Sequence, residues 1–168
     1  MSTVQIISDT STLYSPAEGR EKGILISPLS VHIGEESYKE FEEIRPLEFI
    51  DKIRAGGVPR SSQPAIGDIL AHYRNCLGRP VINISMADGL SGTYQSALGA
   101  RDISEQPENI TVINSGTLCG PHRYLVNKAA ALAGQGLGVA EILAGLKPSL
   151  ERHKSYLIPQ DFDFLKRG

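Results

Sequence analysis

Short runs of aliphatic and β-branched residues alternate along this chain with longer segments whose apolar residues recur at helical spacing, and that alternation restricts the fold more than any other feature. The β-type runs are VQIIS (4–8), ILISPLSVHI (24–33), VINIS (81–85), ITVIN (110–114) and SYLIP (155–159). Between them, Ile66, Ile69, Leu70, Tyr73 and Leu77 gather on one face of a helix running to about Gly78, and Val139, Ile142, Leu143 and Leu146 repeat the spacing. Further helices are predicted from about Ser91 to Ile103 and from Pro121 to Ala133. Strands alternating with helices predict an α/β fold, a mainly parallel sheet with helices on both faces. GQGLG (134–138) follows a helix where a dinucleotide fingerprint must follow a strand, so it reads as a helix stop and restart.

A chain of 168 residues suits one domain, able to bury roughly 70% of the surface its unfolded form exposes. The net charge of -2 and the lack of any Lys/Arg block argue against a nucleic-acid partner. Polar residues break every apolar stretch short of a membrane span, and MSTVQIISDT lacks the layout of a signal peptide, which gives a cytoplasmic reading. Cys76 and Cys119 lack CxxC spacing, so they are expected to be buried, unreactive thiols and no zinc site is expected. There is no internal repeat.

In parallel sheets, ligands sit beyond the carboxyl ends of the strands. Three polar motifs follow directly on predicted strands: SDTST (8–12), MADGLSGT (86–93) and NSGTLCG (114–120). A fourth, GGVPRSSQP (56–64), precedes the Ile66 helix and could cap it through Ser61 or Ser62, with Pro64 near the first turn. Taken singly, each is explained by the preference of Ser, Thr and Asp for caps and turns. Several at one sheet edge would surround a crevice with hydroxyls and free helix-terminal amides, and such a crevice favours a phosphate or a carboxylate over a cation. Gly89 and Gly92 would let backbone approach the anion closely.

A nucleophilic enzyme is the rival within this site. Ser91 in GLSGT has the spacing G-x-S-G, one residue short of a nucleophile elbow. Of the four imidazoles, His72 reads as a surface residue, His32 ends a strand, His153 sits in a basic helix terminus, and only His122 lies near a strand-end motif. A hydrolase built on Ser91 and His122 is therefore one alternative, within the wider one of a small-anion or ester hydrolase or phosphotransferase using the same crevice. Asp88 reads as a local acceptor in a Gly-containing turn, without metal, since no His, Cys or second carboxylate lies at ligand spacing.

The ordered series SDTST, GILISPLSVHIGEESYKEF, GGVPRSSQP, GLSGTYQSA and VINSGTLCG resembles that of the DegV family of bacterial fatty acid-binding proteins, from about Val4 to the C-terminus. The resemblance implies that residues 1–168 are the α/β N-terminal lipid-binding domain (the EDD fold) of a two-domain protein, the second domain being absent from this chain. It implies a long-chain fatty acid held by its carboxylate for phosphorylation by a separate fatty acid kinase catalytic subunit, in phospholipid metabolism. The protein would be a carrier without chemistry of its own and without a cofactor, in transient contact with membrane surfaces. By position, Ser61 matches the carboxylate-binding hydroxyl of the family's T-S-Q-P motif and Ser91 the serine of its L-S-G-T-Y motif, with Ser62, Gly92 and Thr93 as adjacent donors. Ser91 is thus expected both to cap a helix and to donate to a carboxylate.

The chain departs from the family pattern at Ala87 and Asp88, where two serines are usual, and at Asn114, Ser61 and Ala65, where Asp, Thr and Ser are usual. Asp88 would repel an anion if it pointed inward. Burying a sixteen-carbon tail has a gross value on the order of 12 kcal/mol, far above two hydroxyl contacts. The tail therefore decides affinity, and a chain ending at Gly168 is expected to leave the tunnel open, to bind weakly and to self-associate.

Overall fold

Ile6, Ile82 and Ile84 on one face of their strands and Ile7 and Val81 on the other require cover on both sides, and the fold supplies it. The computed structural model describes residues 4–158 and Phe162. In chain order the elements are β1 (Gln5–Asp9), α1 (Pro16–Glu21), β2 (Ile24–Ser27), β3 (Ser30–Ile33), β4 (Glu36–Lys39), α2 (Pro46–Arg54), β5 (Pro59–Ser62), α3 (Ile66–Arg74), β6 (Val81–Ser85), α4 (Thr93–Asp102), β7 (Ile110–Asn114), α5 (Cys119–Gly134) and α6 (Val139–Arg152).

Four strands form a parallel sheet in the order β2-β1-β6-β7. On one face, Ile6, Ile24, Ile26, Ile82 and Ile84 pack with Leu125, Val126 and Ala129 of α5 and Ile142 and Leu146 of α6. On the other, Ile7 and Val81 pack with Ile69, Leu70 and Tyr73 of α3 and Ala97 and Ala100 of α4. The predicted α/β class, with a parallel sheet covered on both faces, is the fold observed. Gly136, at φ 82°, lies in the turn between α5 and α6, the stop and restart expected of GQGLG.

The predicted strand 24–33 is two strands. Pro28 interrupts it, having no amide for a ladder: β2 pairs parallel to β1, whereas β3 belongs to a second, antiparallel sheet of order β4-β3-β5. Neither β4 (ESYK) nor β5 (PRSS) has an aliphatic residue, so hydrophobic patterning could not reveal them. Pairing with β3 makes them strands. The cap foreseen from Ser61 or Ser62 is not formed, because both sit in β5, opposite Val31 and Ser30; α3 begins after Ala65 with no side-chain cap. SYLIP is not a strand over 155–158, where Tyr156 and Ile158 are 83% and 86% exposed; Pro159 lies outside the described residues. Two short helices were also unforeseen, α1 with a Ser15/Glu18 capping box and Pro16 in its first turn, and α2 with Pro46 in its first turn.

The small sheet is stitched to the large one. The Leu29 amide donates to Thr10 Oγ1 at 3.0 Å, and the Glu40 amide donates to the Leu29 carbonyl at 2.9 Å. Lys39 pairs with Asp68 of α3 at 2.9 Å, a contact that raises the lysine's affinity for its proton.

Close approach of α1 to β2 depends on Gly19. A methyl group there would lie 2.5 Å from Ile26 Cγ1 and 2.9 Å from the Ile24 carbonyl oxygen. Gly19→Ala is expected to cost about 1–3 kcal/mol as an overpacked contact. Denaturant unfolding monitored by circular dichroism checks this, and an unchanged midpoint would show that α1 separates from β2 freely.

Candidate functional site

The chain leaves β1 on one side to reach β2 and returns over it to reach β6, so the crevice outside the carboxyl ends of β1 and β6 is the topological switch point of the sheet. Asp9 closes β1 there and is 1% exposed. Its Oδ1 accepts the Ser11 amide at 2.9 Å and its Oδ2 accepts the Met86 amide at 3.0 Å. One buried carboxylate thereby fixes the loops that follow two adjacent strands. The third loop joins them through the Ala87 amide, which donates to the Thr117 carbonyl at 2.9 Å, and the Ser115 amide, which donates to the Ser85 carbonyl at 2.9 Å.

Beneath the crevice lies the fully buried ring of His122, from the first turns of α5. Its Nε2 is 3.0 Å from the Ile84 carbonyl and 3.2 Å from Ser8 Oγ, and its Nδ1 is 2.8 Å from Ser11 Oγ and 4.0 Å from Asp9 Oδ1. Its hydrogen bonds among the described residues go to these groups and not to Ser91, so the Ser91/His122 pair needed by the hydrolase reading is not assembled. SDTST followed a strand end, as His122 nearly did, but only the strand order brings them together.

An open groove of about 350 Å³ runs between this crevice and the small sheet. Its apolar lining comes from Leu13, Leu29, Val31, Phe41, Ile44, Phe49, Met86 and Leu118, and its polar lining includes the hydroxyl residues Thr10, Ser11 and Ser61 with Glu40 and Arg45. Thr10 donates its hydroxyl to Glu40, which holds that carboxylate against the first loop.

The residues singled out in the sequence fall into two packed arms. Ser61 is an exposed residue of β5 and lines the groove, whereas Ser62 has its hydroxyl 3.0 Å from His32 Nε2. Ser91 Oγ lies 2.8 Å from Thr93 Oγ1 and accepts the Thr93 amide at 3.3 Å. Gly92 occupies the N-cap position of α4, so Ser91 serves the helix start from one residue before the cap. A methyl group on Gly92 would lie 3.1 Å from the side-chain amide of Gln63, which places the SSQP arm directly against the LSGT arm.

Asp88 is exposed and turned toward α4, where its Oδ1 accepts from Gln95 Nε2 at 3.0 Å. Asn114, where the family has Asp, accepts the amides of Asp88 at 3.2 Å and Gly116 at 2.9 Å. No group of three His, Cys, Asp or Glu residues positioned to hold a metal occurs among the described residues. Two expectations need correction. Cys76 is buried, and burial pushes its thiol up, but Cys119 is exposed because it opens α5 at the rim of the crevice. His72 is half-buried, and desolvation lowers its proton affinity.

Comparison with known proteins agrees with the fold. A family model described as "Uncharacterised protein, DegV family" matches residues 3–168. A DegV domain-containing protein of Halalkalibacterium halodurans is 32% identical over 172 aligned positions, covering 100% of this chain and 60% of the relative. A DegV family protein from Thermus thermophilus, described for its fatty acid binding, superposes with a TM-score of 0.80 at 28% identity over 89% of this chain and 54% of that one. The Streptococcus pneumoniae fatty acid kinase (Fak) B3 protein, loaded with linoleic acid, shares the fold with a TM-score of 0.73 at 21% identity, over 89% of this chain and 54% of that one. The chain therefore spans 54–60% of the length of these relatives. No described helix is long and apolar enough to cross a membrane. With a family model covering nearly its whole length, this chain belongs to the DegV family.

Proposed function

We propose that this chain binds a long-chain fatty acid, with the acyl tail in the groove between the two sheets and the carboxylate at the hydroxyls of Ser61 and Ser91. The observation that carries the reading is the groove itself, a cavity of about 350 Å³ whose walls are mainly aliphatic and aromatic and whose lining includes Ser61. Ligand sites take this form, a largely apolar cleft with a few convergent polar groups. Ser62, Gly92 and Thr93 hold those donors in place: Ser62 is anchored on His32, Thr93 on Ser91, and Gly92 lets the two arms touch. Fatty acid binding by the Thermus relative supports the ligand class.

The finer reading is that the protein acts as a carrier, without a cofactor, and presents the carboxylate to a separate fatty acid kinase. Family membership supports it, as does the engagement of the Ser91 hydroxyl with Thr93 at the start of α4. A carboxylate held by hydroxyls at the open side of a groove can be reached by a phosphoryl donor on another protein.

The test is calorimetric titration with palmitate. A hydrogen bond to a charged group is worth about 1.5–3 kcal/mol, so Ser61→Ala and Ser91→Ala should each weaken binding roughly tenfold to a hundredfold. Because both serve one carboxylate, the double variant should lose less than the sum of the two. Parent-like affinity in both single variants would place the head group elsewhere.

Asp88 gives a second expectation. Its carboxylate is engaged by Gln95 and exposed to water, where screening weakens repulsion of a ligand anion. Asp88→Ser should leave palmitate affinity unchanged or raise it slightly in the same titration. A large loss would mean that Asp88 holds the loop in its binding shape.

A further inference from the structure

Ser11 is absent from the family-matched donors, yet it lines the groove and its hydroxyl is 2.8 Å from a buried ring nitrogen. The protons in this cluster can be placed by elimination. Ser8 Oγ donates to the Ile84 carbonyl at 2.7 Å, which uses its one proton. A carbonyl only accepts, so His122 Nε2, at 3.0 Å from the same oxygen, carries a hydrogen. Nδ1 then has two states. In the neutral ring Nδ1 accepts, the Ser11 proton is directed into the protein, and Ser11 offers only lone pairs to the groove. In the charged ring Nδ1–H donates to Ser11 Oγ, and the serine proton is released to donate to a ligand.

We propose that Ser11 is a further contact for the ligand head group and that His122 sets the direction of its proton, so that an anion seated at Ser11 draws a proton onto the buried ring. This rests on the reading of the groove as a carboxylate site. The groups that face the ring are Ser8 and Asp9 from β1, Ser11 from the turn after it and the Ile84 carbonyl from β6. Asp9 is the one carboxylate among them, with its Oδ1 4.0 Å from Nδ1. An anion that takes the Ser11 hydroxyl hydrogen leaves Nδ1 facing a serine lone pair inside the buried cluster, a contact that a hydrogen on Nδ1 completes. Since binding takes up a proton, lowering the pH strengthens binding of the anion, and raising it weakens binding.

The experiment is titration of palmitate into the protein near neutral pH in two buffers of different ionisation enthalpy, which yields the protons taken up per ligand bound. Proton uptake by the parent protein should exceed that of Ser11→Ala, which retains the Ser61 and Ser91 contacts and binds roughly tenfold more weakly. Ser11→Thr keeps a hydroxyl and should restore the uptake. Protonation of palmitate itself contributes equally to all three proteins and cancels in the comparison. Equal affinity and equal uptake in parent and Ser11→Ala would overturn the proposal while leaving the fatty acid reading intact. Weaker binding with unchanged uptake would remove the part given to His122. A parent protein that binds no palmitate would overturn the fatty acid reading and this proposal with it.

Discussion

The buried carboxylate of Asp9 governs the site end of this molecule. It accepts one amide from the loop after β1 and one from the loop after β6, and it faces the ring of His122 on α5. Water could not satisfy these groups at 1% exposure, so an uncompensated carboxylate here would cost several kcal/mol. Its two amide contacts offset that cost, and in doing so they fix the separation of two loops that the strands alone leave free. The groove, the Ser11 hydroxyl and the path of MADGLSGT all follow from that fixation.

Polar side chains below the loops extend the same logic. Tyr73 donates to the Ala97 carbonyl at 3.2 Å and accepts from Asn83 Nδ2 at 2.8 Å, while Ser85 donates to Asn83 at 3.2 Å. Burial keeps the Tyr73 hydroxyl protonated well beyond its ordinary range, so it remains a donor. This chain ties α3, β6 and α4 into one unit, and α4 begins at the residues that carry Ser91. A hydroxyl site held by a satisfied network is already ordered before a ligand arrives, which lowers the entropy lost on binding.

Much of this architecture was legible in the sequence, and the failures have physical causes. Runs such as VINIS and ITVIN encode their own strands, because β-branched residues favour the pleat, and VINIS is buried throughout while ITVIN is largely half-buried. PRSS carries no comparable signal and is a strand solely because β3 is beside it. SYLIP shows the converse: residues 155–158 have the composition of a strand but pair with no strand among the described residues. In the site, SSQP and LSGT were legible as motifs, and the contact of Gln63 with Gly92 shows why they belong together. Ser11 and His122 are 111 residues apart, and nothing local to either announces the other. The order β2-β1-β6-β7 is needed before their proximity can be deduced.

Everything proposed for this site depends on a fatty acid occupying the groove between the two sheets. Native mass spectrometry of the protein purified from cells, repeated after incubation with a mixture of free fatty acids, tests it without presuming a chain length. The expected result is a complex carrying one added mass of a long-chain fatty acid, released as the free acid on denaturation. Protein that emerges without such a mass and acquires none on incubation would contradict it.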